Sequence, residues 1–150
     1  MKSNLSCNSA IFDTNPHLLN VLNGTINLKT GELKEHMTYV KRFLWPQAET
    51  GKRTLINFGA VDQICTVIVN GEKISCHEGG YLPFDVDITA FVKNGKNSIA
   101  VQVSDTLNHS FGWGKQRVDR GGMWYTPISG VWQPVWLEQV PDAYIENIRL

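Results

Sequence analysis

Val67-Ile68-Val69-Asn70-Gly71-Glu72-Lys73-Ile74 reads as a strand, a two-residue turn and a returning strand without interruption. Asn and Gly both tolerate the positive φ that a type I′ turn demands at its central positions, and that turn matches the right-handed twist of the strands it joins. A β-hairpin is therefore expected here. Its first strand puts Cys65, Val67 and Val69 on one face, because successive side chains point to opposite sides. On the return, Ile74 and Cys76 alternate with Lys73, Ser75 and His77, which predicts that Cys65 and Cys76 approach each other as small core residues.

Outward from this hairpin, runs of β-forming residues recur at Tyr39–Leu44, Thr54–Phe58, Ile64–Val69, Lys73–Cys76, Ser98–Val103, Val131–Val140 and Tyr144–Leu150. Short strands at such spacing predict an all-β sandwich or barrel. Within Phe84–Val92, Asp87 or Thr89 is suited to cap a short helical turn that Asn94-Gly95 ends before the next strand. Trp132 and Trp136 stand four apart on one predicted strand and so share a face, which favours packing. Residues 1–36 are rich in Asn and Ser, with a short helix or strand expected at His17–Leu22 and a hairpin at Thr25–Lys34 turning through Lys29-Thr30-Gly31. The domain division is 1–36 as an extension and 37–150 as the β-domain.

A chain of 150 residues, 42% hydrophobic and 19% charged, carries one core. Lys+Arg and Asp+Glu both number 14, so no basic stripe points to nucleic acid. Cys7, Cys65 and Cys76 form no CxxC pair and read as free thiols in a reducing compartment, hence a cytoplasmic location. No apolar run reaches the ~20 residues of a membrane span, and Met1–Ala10 is too polar for a secretory signal. His77 and His109 lack metal-ligand spacing, so no metal site is predicted, and His77 is expected to satisfy loop backbone. Gly79-Gly80 precedes no helix and reads as a tight turn rather than a phosphate cradle, so no cofactor is predicted. Ser129-Gly130 sits in no GxSxG motif and reads as strand entry.

Three stretches carry a family resemblance: Phe58-Gly59-Ala60-Val61-Asp62 through Val69-Asn70-Gly71, then His77-Glu78-Gly79-Gly80-Tyr81-Leu82-Pro83-Phe84-Asp85-Val86-Asp87-Ile88-Thr89, then Gly114-Lys115-Gln116 with Trp124–Glu138. Over residues 39–150 the chain resembles the N-terminal sugar-binding domain of family 2 glycoside hydrolases, in its β-galactosidase-like and β-glucuronidase-like members. The resemblance implies a jelly-roll β-sandwich, galactose-binding-domain-like. In that family two glutamates on a following barrel do the chemistry, and residues matching the barrel are absent from this sequence. A second, shorter resemblance covers Asn15 to Leu33, which is similar to a segment of phage and plasmid primase-helicases but carries no GxxxxGK[ST] loop. It implies a fused or misassembled gene, with Met37 as the original junction.

Glycoside hydrolysis needs two carboxyl groups about 5–5.5 Å apart for retention, or roughly 6.5–9.5 Å for inversion. Asp85 and Asp87 share a face of an extended segment, but Asp at a strand-to-turn transition commonly bonds backbone N–H groups, so no catalytic residue is assigned. The long irregular stretch Asp105–Tyr125 is the functional candidate, since connections of that length are usually functional. In the resembling enzymes this side of the sandwich reaches toward the active site. Sugar recognition uses an aromatic face against ring C–H groups and polar groups against hydroxyls. Asp105, Lys115, Gln116, Trp124 and Tyr125 are the predicted substrate-binding or active-site-facing residues. The implied role is a non-catalytic sugar-binding or scaffold domain of a glycosidase, whose partners are carbohydrate, the enzyme's remaining domains and a second copy in a homo-oligomer. The alternatives are a free-standing carbohydrate-binding module and a truncated or chimeric product without activity.

Overall fold

The computed structural model describes Leu18–Leu19 and residues 36–149 other than Arg120. The hairpin expected at Thr25–Lys34 lies outside the described residues. So does the His17–Leu22 segment, apart from Leu18–Leu19, which form a short strand.

In chain order the strands are β1 (Leu18–Leu19), β2 (His36–Trp45), β3 (Lys52–Phe58), β4 (Val61–Asp62), β5 (Ile64–Val69), β6 (Glu72–Glu78), β7 (Phe84–Asp87), β8 (Gly95–Ser104), β9 (Gly130–Val131) and β10 (Val135–Pro141). One sheet has the order β1-β10-β3-β7 and the other β2-β8-β5-β6, both antiparallel. With the short β4–β9 ribbon set aside, these orders describe one long hairpin rolled up on itself. Its nested pairs are β1 with β10, β2 with β8, β3 with β7 and β5 with β6, placed alternately in the two sheets. That is the jelly roll. Its tip is the Asn70-Gly71 turn, where φ is 51° and 92°. Asn70 also ties the tip to β8: its amide donates to Phe91 O at 2.7 Å and Asn97 Oδ1 at 2.9 Å, and its Oδ1 accepts from Ser98 N at 2.9 Å.

Alternation fills the space between the sheets. On β5, Cys65, Val67 and Val69 are buried, and beside them in the same sheet Val103, Val101 and Ile99 of β8 line the same inner face. Phe58 on β3 is fully buried and stacks on Phe84 at 4.6 Å between ring centroids. On β6 the predicted pattern fails. Val67 pairs with Ser75 but Ile68 pairs with Lys73, so Ile74 is an extra residue, a β-bulge. Beyond a bulge the inside and outside of a strand exchange. His77 lies opposite Cys65 and stacks on Phe84 at 3.8 Å, with its Nε2 unpartnered among the described residues, instead of satisfying loop backbone. Cys76 lies opposite Thr66 on the outer face, exposed, so the two cysteines do not meet in the core.

Two further expectations are corrected. Val131–Val140 is not one strand: β9 pairs with β4, β10 with β3, and Trp132-Gln133-Pro134 carries the chain between sheets. Pro134 has no N–H for a ladder, while its carbonyl accepts from Gly59 N at 2.9 Å. Trp132 and Trp136 therefore sit on different elements and share no strand face. The run at 144–149 forms no strand, because no described neighbour offers it a ladder, and Ile145 and Ile148 are left exposed. The turn after β7 agrees with expectation, with Asp87 as the cap. Its Oδ1 accepts from the backbone N–H of Thr89 at 2.9 Å and from the Thr89 hydroxyl.

Candidate functional site

The irregular stretch after β8 is held from beneath by a buried polar cluster. The β4–β9 ribbon pairs Asp62 with Gly130, and Asp105 follows directly on β8, so two carboxyls enter the same end of the sandwich. Asp62 is 4% exposed and Asp105 1%. Asp105 Oδ1 accepts from Leu107 N at 2.8 Å and turns the chain out of the sheet. Gln63 then clamps the next residue from both sides, its Nε2 donating to Asn108 O at 3.0 Å and its Oε1 accepting from Asn108 N at 3.3 Å. At the far end of the loop, Gln116 Oε1 accepts from Ile128 N, which leaves the amide of Gln116 to bond Asp62. Backbone bonds from Tyr125 N to Lys115 O at 3.0 Å and from Arg117 N to Tyr125 O at 3.1 Å tie the two arms together.

The electrostatics follow from this burial. Loss of water pushes the Asp62 carboxyl up from its usual 3.8 to about 7, the charge of Asp105 pushes the same way, and the Gln116 bond opposes both. Among the described residues Asp62 Oδ1, Asp105 Oδ2 and the buried Ser129 hydroxyl have no hydrogen-bond partner. A proton on Asp62 relieves the like-charge contact. Gly80 is needed at its position because a Cβ there would fall on the Asp62 carboxylate. The Gly80 carbonyl accepts from Trp132 Nε1 at 2.7 Å, and Tyr81 meets the Trp132 ring edge-on at 5.9 Å. Burial, then the Asp62 charge, raises the Tyr81 hydroxyl above its usual value.

Above the cluster, the loop surface carries a ladder of flat groups. His109 stacks on Trp113 at 4.2 Å, Trp113 lies 6.0 Å from Trp124 and nearly parallel, and the Arg117 guanidinium covers Trp124 at 4.1 Å. Tyr125, 63% exposed, and Lys115 stand beside it. Of the five predicted site residues, Lys115 and Tyr125 lie on the surface, Trp124 is half-buried within the ladder, and Asp105 and Gln116 lie beneath it, where they hold the loop. Asp85 and Asp87 are exposed on β7, away from the cluster. Sequence reading gave no role to Asp62 and Gln63. The available signal was a polar pair, Asp62-Gln63, between the apolar Ala60-Val61 and Ile64-Cys65, where a core is expected to continue.

An antiparallel jelly roll with a pinned aromatic and cationic loop at one pole defines a class of β-sandwich binding domains. Residues 18–141 match the family model of the glycosyl hydrolases family 2 sugar binding domain. The chain belongs to that family. A putative beta-glucuronidase of Formosa agariphila is 30% identical over 149 residues, 98% of this chain and 17% of the relative. A beta-galactosidase of Thermoanaerobacter pseudethanolicus is 35% identical over 112 residues, 73% of this chain and 14% of the relative. Among solved structures, the beta-D-glucuronidase of Dictyoglomus thermophilum superposes with a TM-score of 0.65 at 26% identity, covering 95% of this chain and 27% of that one. The chain thus spans about one-sixth of the length of the curated relatives it matches.

Proposed function

We propose that this chain acts as the non-catalytic, sugar-contacting domain of a glycosidase that cleaves β-glucuronides or β-galactosides, and that the loop Asp105–Ile128 supplies the contact. The observation that carries this reading is the ladder His109–Trp113–Trp124–Arg117, displayed on a loop that Asp105 and the amides of Gln63 and Gln116 hold in place. Aromatic faces suit the apolar C–H side of a sugar ring, while Lys115 and Tyr125 offer hydrogen bonds to its hydroxyls. A loop fixed in advance loses less freedom on binding, which favours weak ligands. Asp62 and Asp105 are sealed below the surface, so neither is presented to a sugar as acid or nucleophile. On this reading the partners are a carbohydrate and the remaining domains of the enzyme.

Saturation-transfer NMR of the chain with methyl β-D-glucuronide and methyl β-D-galactoside tests this. One of the two is expected to bind. Trp124→Ala is expected to weaken it by about twofold to tenfold, the worth of one aromatic contact. Equal binding by the variant, or none to either sugar, contradicts the reading.

A further inference from the structure

The opposite pole of the sandwich holds an open cleft of about 720 Å³, within the ~300–1,000 Å³ that small ligands fill. β8 runs between the two poles, from Gly95 at the cleft to Ser104 beside Asp105. At ~3.4 Å per residue its ends are about 30 Å apart, so the cleft is separate from the loop. Among the described residues Arg42, Lys93 and Lys96 line it and no carboxylate does, although acids and bases balance at 14 each over the whole chain. Among the described residues none of these three cations is in an ion pair.

The floor of the cleft is already satisfied. Besides its bond from Asn70, Asn97 donates to Lys93 O at 2.7 Å and Gly95 O at 3.0 Å and accepts from Lys93 N at 3.0 Å. A ligand is therefore met by the three cations and by apolar surface, namely Leu44, 74% exposed, and the half-buried Phe43. A group with a negative charge on one side and a C–H face on the other fits both. We propose that this cleft is a second binding site, which takes the carboxylate-bearing sugar unit of an acidic saccharide. The inference rests on the reading of the chain as a sugar-binding domain and extends it to a polymer held at two poles.

Amide-detected NMR titrations of the chain with a short oligogalacturonate, a neutral galactose oligomer of equal length and inorganic phosphate test it. The expected result is that oligogalacturonate shifts the signals of Arg42, Leu44 and residues 93–98 while the neutral oligomer does not. Lys93→Gln/Lys96→Gln, both exposed and outside the core, is expected to weaken this about fivefold, the worth of two screened charge contacts. Trp124→Ala is expected to leave it unchanged. Leu44→Ser is expected to weaken oligogalacturonate but not phosphate. Shifts confined to residues 105–128 overturn the cleft proposal and leave the loop reading standing. Equal binding of phosphate and oligogalacturonate overturns it too, because the cleft is then a general anion patch. Shifts at the cleft with none in the loop for any sugar support the cleft and overturn the loop reading.

Discussion

Replacing Asp62 by Asn is expected to change how the stability of this domain depends on pH. The folded carboxyl titrates at about 7, chiefly through burial, against 3.8 when unfolded. Between those values the folded chain keeps a proton that the unfolded chain has lost. Stability therefore falls as pH rises through the window and levels off above about pH 7, the reverse of a salt-bridged carboxylate. At about 1.4 kcal/mol per pH unit, the separation of the two values is worth about 4 kcal/mol. Asn has the same shape, cannot ionise, and keeps an oxygen to accept from Gln116. Urea unfolding followed by tryptophan fluorescence, at pH steps from 4 to 8, reads the difference between the two proteins. Asp62→Asn is expected to gain on the wild type by about 3–4 kcal/mol across that range, with most of the change between pH 4 and 7. A constant difference between the two curves refutes the argument, because it means that Asp62 titrates alike in both states.

The neighbouring packing makes a second prediction. Gly80→Ala drives a methyl group onto the Asp62 carboxylate and is expected to cost about 2 kcal/mol or more, read by the same unfolding curves. Phe58→Ala, which empties a fully buried ring site beneath Phe84, is expected to cost about 3–5 kcal/mol. The two cysteines should separate by reactivity. Cys76 is exposed and lowered by its bond to the Thr66 hydroxyl and by Lys73, whereas burial raises Cys65 to about 12. In a Cys7→Ser background at pH 8, a thiol reagent is therefore expected to label Cys76 quickly and Cys65 only after unfolding. Equal labelling of the two in the native protein would place them on one face and contradict the bulge.

Most of the architecture was legible because burial writes itself as alternation. Cys65, Val67 and Val69 could be assigned inward from their spacing, and Asn70-Gly71 could be read as a turn from the φ values those residues permit. The bulge at Ile74 was not legible, since an extra residue leaves composition and local propensity untouched while exchanging the two faces beyond it. The division between β9 and β10 was half-written in Pro134, which removes a donor but does not say which sheet each piece joins. In the candidate site, the loop and its aromatics stood out by their length and content. The support did not. The Asp62-Gln63 pair and Asp105 come from separate turns of the roll, and their meeting is a property of the jelly-roll order rather than of any local pattern. That is also why Asp105 and Gln116, chosen for their chemistry, lie beneath the loop surface.

The most direct measurement follows the indole N–H signals of the tryptophans in an NMR titration with methyl β-D-glucuronide and methyl β-D-galactoside. Trp113 and Trp124 lie in the loop ladder, while the Trp132 indole is committed to the Gly80 carbonyl at 2.7 Å. If the pinned loop is the sugar-contacting surface, the Trp113 and Trp124 signals move with one of these sugars and Trp132 stays in place. If Trp132 moves alone, or no indole responds to either sugar, the loop is not that surface.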